Sequence, residues 1–171
     1  MVNATIHKST PDGWTMRTFA IGGLYSVGFS KKHPNLLLVV SSQGRGIIDC
    51  SELEVIERDS DVSGDWINTI ELWANGIGII SEEKILVGGI HGGGLPISNE
   101  NGDAIEYVAT EWPIADLIFQ PDFKSIYKKG EEKYCFNVFH DYELIAYGFS
   151  YNGRYFVIAT SSEIHVFKRD K

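Results

Sequence analysis

His91 stands inside Leu86-Val-Gly-Gly-Ile-His-Gly-Gly-Gly-Leu-Pro96, where five glycines fall within seven residues. Successive backbone N–H groups with no side chains in the way can converge on a phosphate, a carboxylate or a developing oxyanion, so His91, Gly92, Gly93 and Gly94 form the first candidate ligand-binding set. The ligand expected of them is a small anion. The stretch lacks the lysine and following serine or threonine of a P-loop, so nucleotide triphosphate hydrolysis is not indicated. The plainer alternative is geometric. Glycine also serves bulges and tight strand crossings, with His91 bonded to backbone, and in a strand-rich chain that reading is preferred.

A second candidate is Asp59-Ser-Asp-Val-Ser-Gly64, which carries oxygen ligands at alternate positions before a glycine. That is the first half of a calcium loop and makes Asp59, Asp61 and Ser63 the candidate metal ligands, with Ca2+ the one cofactor for which there is any pattern. The second half does not follow. Ile67 and Ile70 occupy the ninth and twelfth positions, where ligands should close the shell, and Glu71 comes one residue late. A solvated acidic turn is the preferred reading. His7, His33, His91, His140 and His165 show no zinc-type spacing, so only the fold can bring ligands together. His140-Asp141 has the makeup of an acid–base pair, yet neighbours on a strand point to opposite faces, which favours surface placement near a turn. Cys50 and Cys135, 85 residues apart, read as two buried reduced thiols on strands.

His91-Gly-Gly-Gly94 also resembles the oxyanion-hole loop of lipase and esterase α/β-hydrolases. The resemblance implies an esterase-like hydrolase in which glycine N–H groups approach the substrate oxyanion. The sequence holds no Gly-x-Ser-x-Gly nucleophile elbow and no alternation of strands with helices, both of which that chemistry needs.

The elements that must position these residues are strands. At 171 residues, the chain fits one domain spanning 1–171 and is long enough to bury roughly 70% of its unfolded surface. Apolar residues are 43% and charged ones 22%, while 18 glycines and 12% aromatics favour strands and turns over helices. A net charge of −8 works against a phosphate backbone as partner, because such binding depends on lysine and arginine displacing counterions; no nucleic acid is expected. The N-terminus lacks a basic segment followed by an apolar one, and nowhere do eighteen apolar residues run together, so the chain reads as soluble, cytoplasmic and without a membrane partner.

Strands are expected at Ala4–His7, at Trp14–Ile21 with one wet face, and at Leu24–Ser30. Leu36–Val40 is a continuous apolar run of the length a fully buried strand has. Ile47–Cys50 and Leu53–Arg58 suit a hairpin; Trp66–Trp73 fits a strand or a short helix; Ile77–Ile80 and Lys84–Val87 follow. Further strands are expected at Ala104–Thr110, Trp112–Phe119, a short Ile126–Tyr127, Tyr134–Phe139, Tyr142–Ser150, Arg154–Thr160 and Glu163–Lys168. Turn signals separate them, among them Pro11-Asp-Gly13, Asn101-Gly102 and Asn152-Gly153. The fold class is all-β, with antiparallel sheets in a small propeller-like or sandwich architecture of roughly sixteen short strands.

One unit repeats. Gly28-Phe-Ser30 and Gly148-Phe-Ser150 each precede a turn of about five residues and then Leu36-Leu-Leu-Val-Val-Ser-Ser42 or Phe156-Val-Ile-Ala-Thr-Ser-Ser162. Gly148–Phe167 resembles the inner strands of a blade in WD40-type β-propellers, over about a quarter of the chain. With no nucleophile–base pair and no metal motif, the expectation leans away from an enzyme. A binding or protein-interaction module of inhibitor or immunity type, with a protein as partner, is expected instead. The alternatives are a small-anion or metabolite binder using the Gly-rich loop 88–96, and the esterase-like hydrolase.

Overall fold

The computed structural model describes residues 7–171, so residues 4–6 of the first expected strand lie outside the described residues. Sixteen strands follow in order. They are β1 (His7–Lys8), β2 (Trp14–Ala20), β3 (Leu24–Phe29), β4 (Leu36–Ser41), β5 (Gly44–Asp49), β6 (Glu54–Asp59), β7 (Ile67–Asn68) and β8 (Trp73–Asn75). Then come β9 (Lys84–Leu86), β10 (Gly88–Gly89), β11 (Ala104–Glu111), β12 (Ile114–Gln120), β13 (Phe136–Asp141), β14 (Ala146–Phe149), β15 (Tyr155–Ala159) and β16 (Glu163–Arg169). Two single 3-10 turns, Gly78–Ile80 and Glu132–Tyr134, are the helical pieces, and among the described residues no helix is long and apolar enough to cross a membrane.

The strands form four sheets, none closed into a barrel, in a sandwich-like architecture. β3 to β6 make an antiparallel meander, with β10 returning beside β3. β14 to β16 make a second, which β2 completes by pairing antiparallel with β16 from Trp14↔Arg169 to Ala20↔Glu163. β11 to β13 make a third, edged by a two-residue parallel pairing of β1 with β13, and β7 to β9 a small fourth.

Alternation along the apolar strands decides which sheets touch. Leu37 and Val39 of β4 pack with Val157, Ile164 and Val166 of the β14–β16 sheet. Leu36, Leu38 and Val40 turn the other way, onto Trp66, Ala74 and Ile85 around the β7–β9 sheet. β15 is sandwiched in the same way: Val157 and Ala159 face the β3–β6 sheet, while Phe156 and Ile158 meet Leu117, Phe119 and Phe139 of the β11–β13 sheet. The layers therefore run β7–β9, β3–β6, β14–β16, β11–β13, and the central strands of the two inner sheets are covered on both faces. A strand covered twice has no wet side to alternate with, which is why β4 and β15 are unbroken apolar runs.

β2 departs from the expected single wet face. Trp14 joins the cluster shared with the β11–β13 sheet and Phe19 the cluster shared with the β3–β6 sheet, because β2 edges an inner layer and touches both neighbours. Ile77–Ile80 is not a strand but leads into a 3-10 turn that buries Ile80, and Ile126–Tyr127 lies among turns with Ile126 buried. Trp66–Trp73 resolves into β7, a turn and the start of β8.

Candidate functional site

The β11–β13 sheet gives one face to the core, through Ile105, Leu117 and Phe119, and turns the other outward. Residues 121–135 cover part of that outer face, where Ile126 and Cys135 pack on Ile118 and Val108. The remainder carries a polar network centred on Asp116, a carboxylate only 7% exposed and the one charge of β12. Its Oδ1 accepts a hydrogen bond from Asn137 Nδ2 at 2.7 Å and lies 2.7 Å from His140 Nδ1, while Oδ2 accepts from Thr110 Oγ1 at 3.3 Å. Burial pushes the Asp116 carboxyl up, but the bonds from His140, Asn137 and Thr110 more than offset it and hold the group below the usual carboxylate range.

With Nδ1 committed to Asp116, the half-exposed His140 imidazole leaves Nε2 without a partner among the described residues. A carboxylate-oriented imidazole is half of an acid–base unit. The other half is missing among the described residues: Thr110's hydroxyl is tied to the carboxylate, and no serine, threonine or cysteine bonds His140. The network holds the three strands in register and fixes the surface around them.

That surface ends in aromatics. Trp112, in the β11–β12 turn, is 81% exposed, and Tyr142, just past β13, is 69% exposed. The pairings Glu111↔Ile114 and Ala115↔Asp141 put both at the same end of the sheet, together with Glu111, Asp141 and Glu143. No lysine or arginine occurs in residues 104–123 or 134–153. β11 is also the sheet's edge: Ser98 pairs with Ala104 and Ile105 N–H donates to Ile97, but beyond them nothing pairs with its outer side among the described residues. Residues 106–111 are mostly exposed.

The residues singled out by sequence lie elsewhere. Gly88 and Gly89 form β10 against Val27 and Ser26; Ile90 and His91 then make a two-residue turn closed by 3.0 Å hydrogen bonds in both directions between Gly89 and Gly92. Gly92 N–H is thus used internally. Gly93 has φ +76, and a Cβ there would come within 2.4 Å of the Val87 carbonyl oxygen, so the chain crosses itself where only glycine fits. His91 is exposed, edge-on to the Tyr25 ring at 5.9 Å. The open clefts described, of 270–400 Å³, are lined by other residues.

Asp59, Asp61 and Ser63 curl back on their own turn. Asp59 pairs with Arg45 and accepts from Asp61 N–H, Asp61 accepts from Ser63 N–H, and Ser63 Oγ from Asp65 N–H. Among the described residues, no group of three or more His, Cys, Asp or Glu side chains is placed to hold a metal. Cys50 and Cys135 are free, buried thiols, one directly after β5 and the other directly before β13; burial raises both, Cys135 to about 11. His165 forms a chain that sequence did not suggest: its Nδ1 is 2.8 Å from Thr18 Oγ1 and its Nε2 3.2 Å from Glu163. Thr18 and His165 are cross-strand neighbours, and neither lines a described cleft.

His140 does not use the adjacent Asp141, whose Oδ1 accepts from Tyr142 N–H; its partner is Asp116, directly across the β12–β13 ladder. The available signal was Asp116 itself, the one charge in Ile114–Gln120. The chain matches no protein-family model, and neither a curated protein nor a solved structure matches it.

Proposed function

We propose that this chain is a protein-interaction module that receives an extended, basic segment of a partner along the outer edge of β11, with Trp112 and Tyr142 as its anchors. One observation carries the reading: an open strand edge runs into an exposed aromatic end, and the segments that build that end, 104–123 and 134–153, hold no lysine or arginine. Unpaired N–H and C=O groups on an edge template another strand. Tryptophan and tyrosine are the residue types that concentrate binding energy at interfaces. The register shift between Val108 and Glu111 confines regular pairing to the segment before it, and Glu111, Asp141 and Glu143 select positive charge beyond.

The test uses acetylated (Lys-Val)4 and (Glu-Val)4 amides, read by amide hydrogen exchange at residues 106–111. The lysine peptide is expected to slow exchange there, less so at high salt, and Trp112→Ala to weaken its binding about 30-fold or more. Unchanged exchange at 106–111 with both peptides would refute the reading.

A further inference from the structure

A different place in the fold carries a small-ligand site. Across the β3–β6 sheet, on the face turned toward β14–β16, Val27, Val39, Gly46 and Arg58 stand directly opposite one another in one row. Gly46 leaves a gap in that row. A Cβ built on it would meet nothing closer than the Glu57 carbonyl oxygen at 3.5 Å, so the space above it is open. Gly44, two residues earlier, lines the same space, and the end of β2 with Ile21 and Gly22 forms the opposite wall. The result is a cleft of about 270 Å³ floored by Val39, Ile48 and Val55 and bordered by Arg58.

The Arg58 side chain is exposed and makes no hydrogen bond or ion pair with the described residues, unlike those of Arg17, Arg45 and Arg169, each of which is bonded. The acids on either side of it, Glu57 and Asp59, point to the other face of the sheet: the Glu57 carboxylate lies beside Gly78, and Asp59 pairs with Arg45. Arg45 and Asp59 also border the cleft but neutralise each other, so Arg58 is left as its one unpaired charge, beside an apolar floor.

We propose that this cleft binds a small aliphatic monocarboxylate, its carboxylate on the Arg58 guanidinium and its stem over Gly46 between Val39 and Ile21. A guanidinium presents paired N–H donors that match the two carboxylate oxygens. One unpaired cation, in a cleft of net charge +1 and a chain of net charge −8, suits a monoanion better than a phosphate dianion. The volume holds about nine water-sized groups, which hexanoate nearly fills. This site is independent of the β11 edge, and either assignment stands or falls alone.

Calorimetric titration and thermal shift with hexanoate, hexan-1-ol and hexylammonium test it on the intact chain. Hexanoate is expected to bind and raise Tm, the alcohol to bind at least tenfold more weakly, and the amine not at all. Arg58→Gln should cost hexanoate tenfold or more in affinity, and Gly46→Val should abolish binding while leaving the ligand-free Tm within a few degrees of wild type. Equal binding of acid and alcohol, no hexanoate binding, or binding indifferent to both variants would each overturn the proposal. A tenfold preference for acetyl-Ala-Leu acid over hexanoate would overturn the free-acid form and give the site to a chain terminus.

Discussion

Asp116 shows how a charge survives inside a sheet. Burial opposes its ionisation, and three donors from both flanking strands restore it. Asp116→Asn should therefore destabilise the fold by about 1–3 kcal/mol at neutral pH, since a donor then faces a donor. The sign with pH follows from the direction of the shift. The carboxyl is held below its ordinary value, so the stability due to its ionisation is complete above the ordinary carboxylate range, about pH 4, and is lost as pH falls through the lower folded value. Urea midpoints should show the wild-type advantage shrinking below about pH 4; an advantage undiminished at pH 3 would contradict this origin. Asp116 is visible in sequence as a lone carboxylate among apolar residues, whereas His140, Asn137 and Thr110 are not visible as its partners. They are set by register between strands, a long-range property that local pattern does not encode.

The repeated hairpin explains itself once its neighbours are in view. Ser30 Oγ accepts from His33 N–H and Ser150 Oγ from Tyr155 N–H, so the serine after each Gly-Phe ties the turn that follows. The glycines answer to packing instead: a Cβ on Gly28 would lie 2.2 Å from the Leu86 carbonyl oxygen, and one on Gly148 would lie 2.5 Å from Leu95 Cβ. Gly148 also has φ +147. Gly148→Ala should cost about 2–4 kcal/mol from overpacking and backbone strain together, while Gly46→Ala, with open space before it, should change stability by about 0.5 kcal/mol or less. Equal losses in denaturant melts would refute the packing account. Element type was legible wherever period and length agreed, as in Leu36–Val40 and the β5–β6 hairpin. It failed at Ile77–Ile80 and Ile126–Tyr127, short apolar pieces whose burial is set by what folds over them.

For the molecule as a whole, Trp14 joins what the sheets separate. It is 6% exposed, lies 4.9 Å from the Phe156 ring and 5.5 Å from Phe119, and supports the Arg169 guanidinium at 4.5 Å, linking β2, β15, β16 and β12. Trp14→Ala should cost about 3–5 kcal/mol, the range for deleting a buried aromatic, and should lower the urea midpoint of the whole chain as one transition. A separate early transition confined to the β11–β13 sheet would show that the layers unfold independently. Antiparallel β class follows from composition and strand spacing, but the layer order does not, because it depends on which face of each strand meets which neighbour. The pairing of β2 with β16 also sets a timetable for synthesis. Thr15 bonds Asp170 across 155 residues, so at about 5–20 residues per second β2 leaves the ribosome roughly 8–30 s before its partner exists. Its four central residues, Thr15, Met16, Arg17 and Thr18, end up exposed and are mostly polar, a composition suited to a nascent strand that must wait in water.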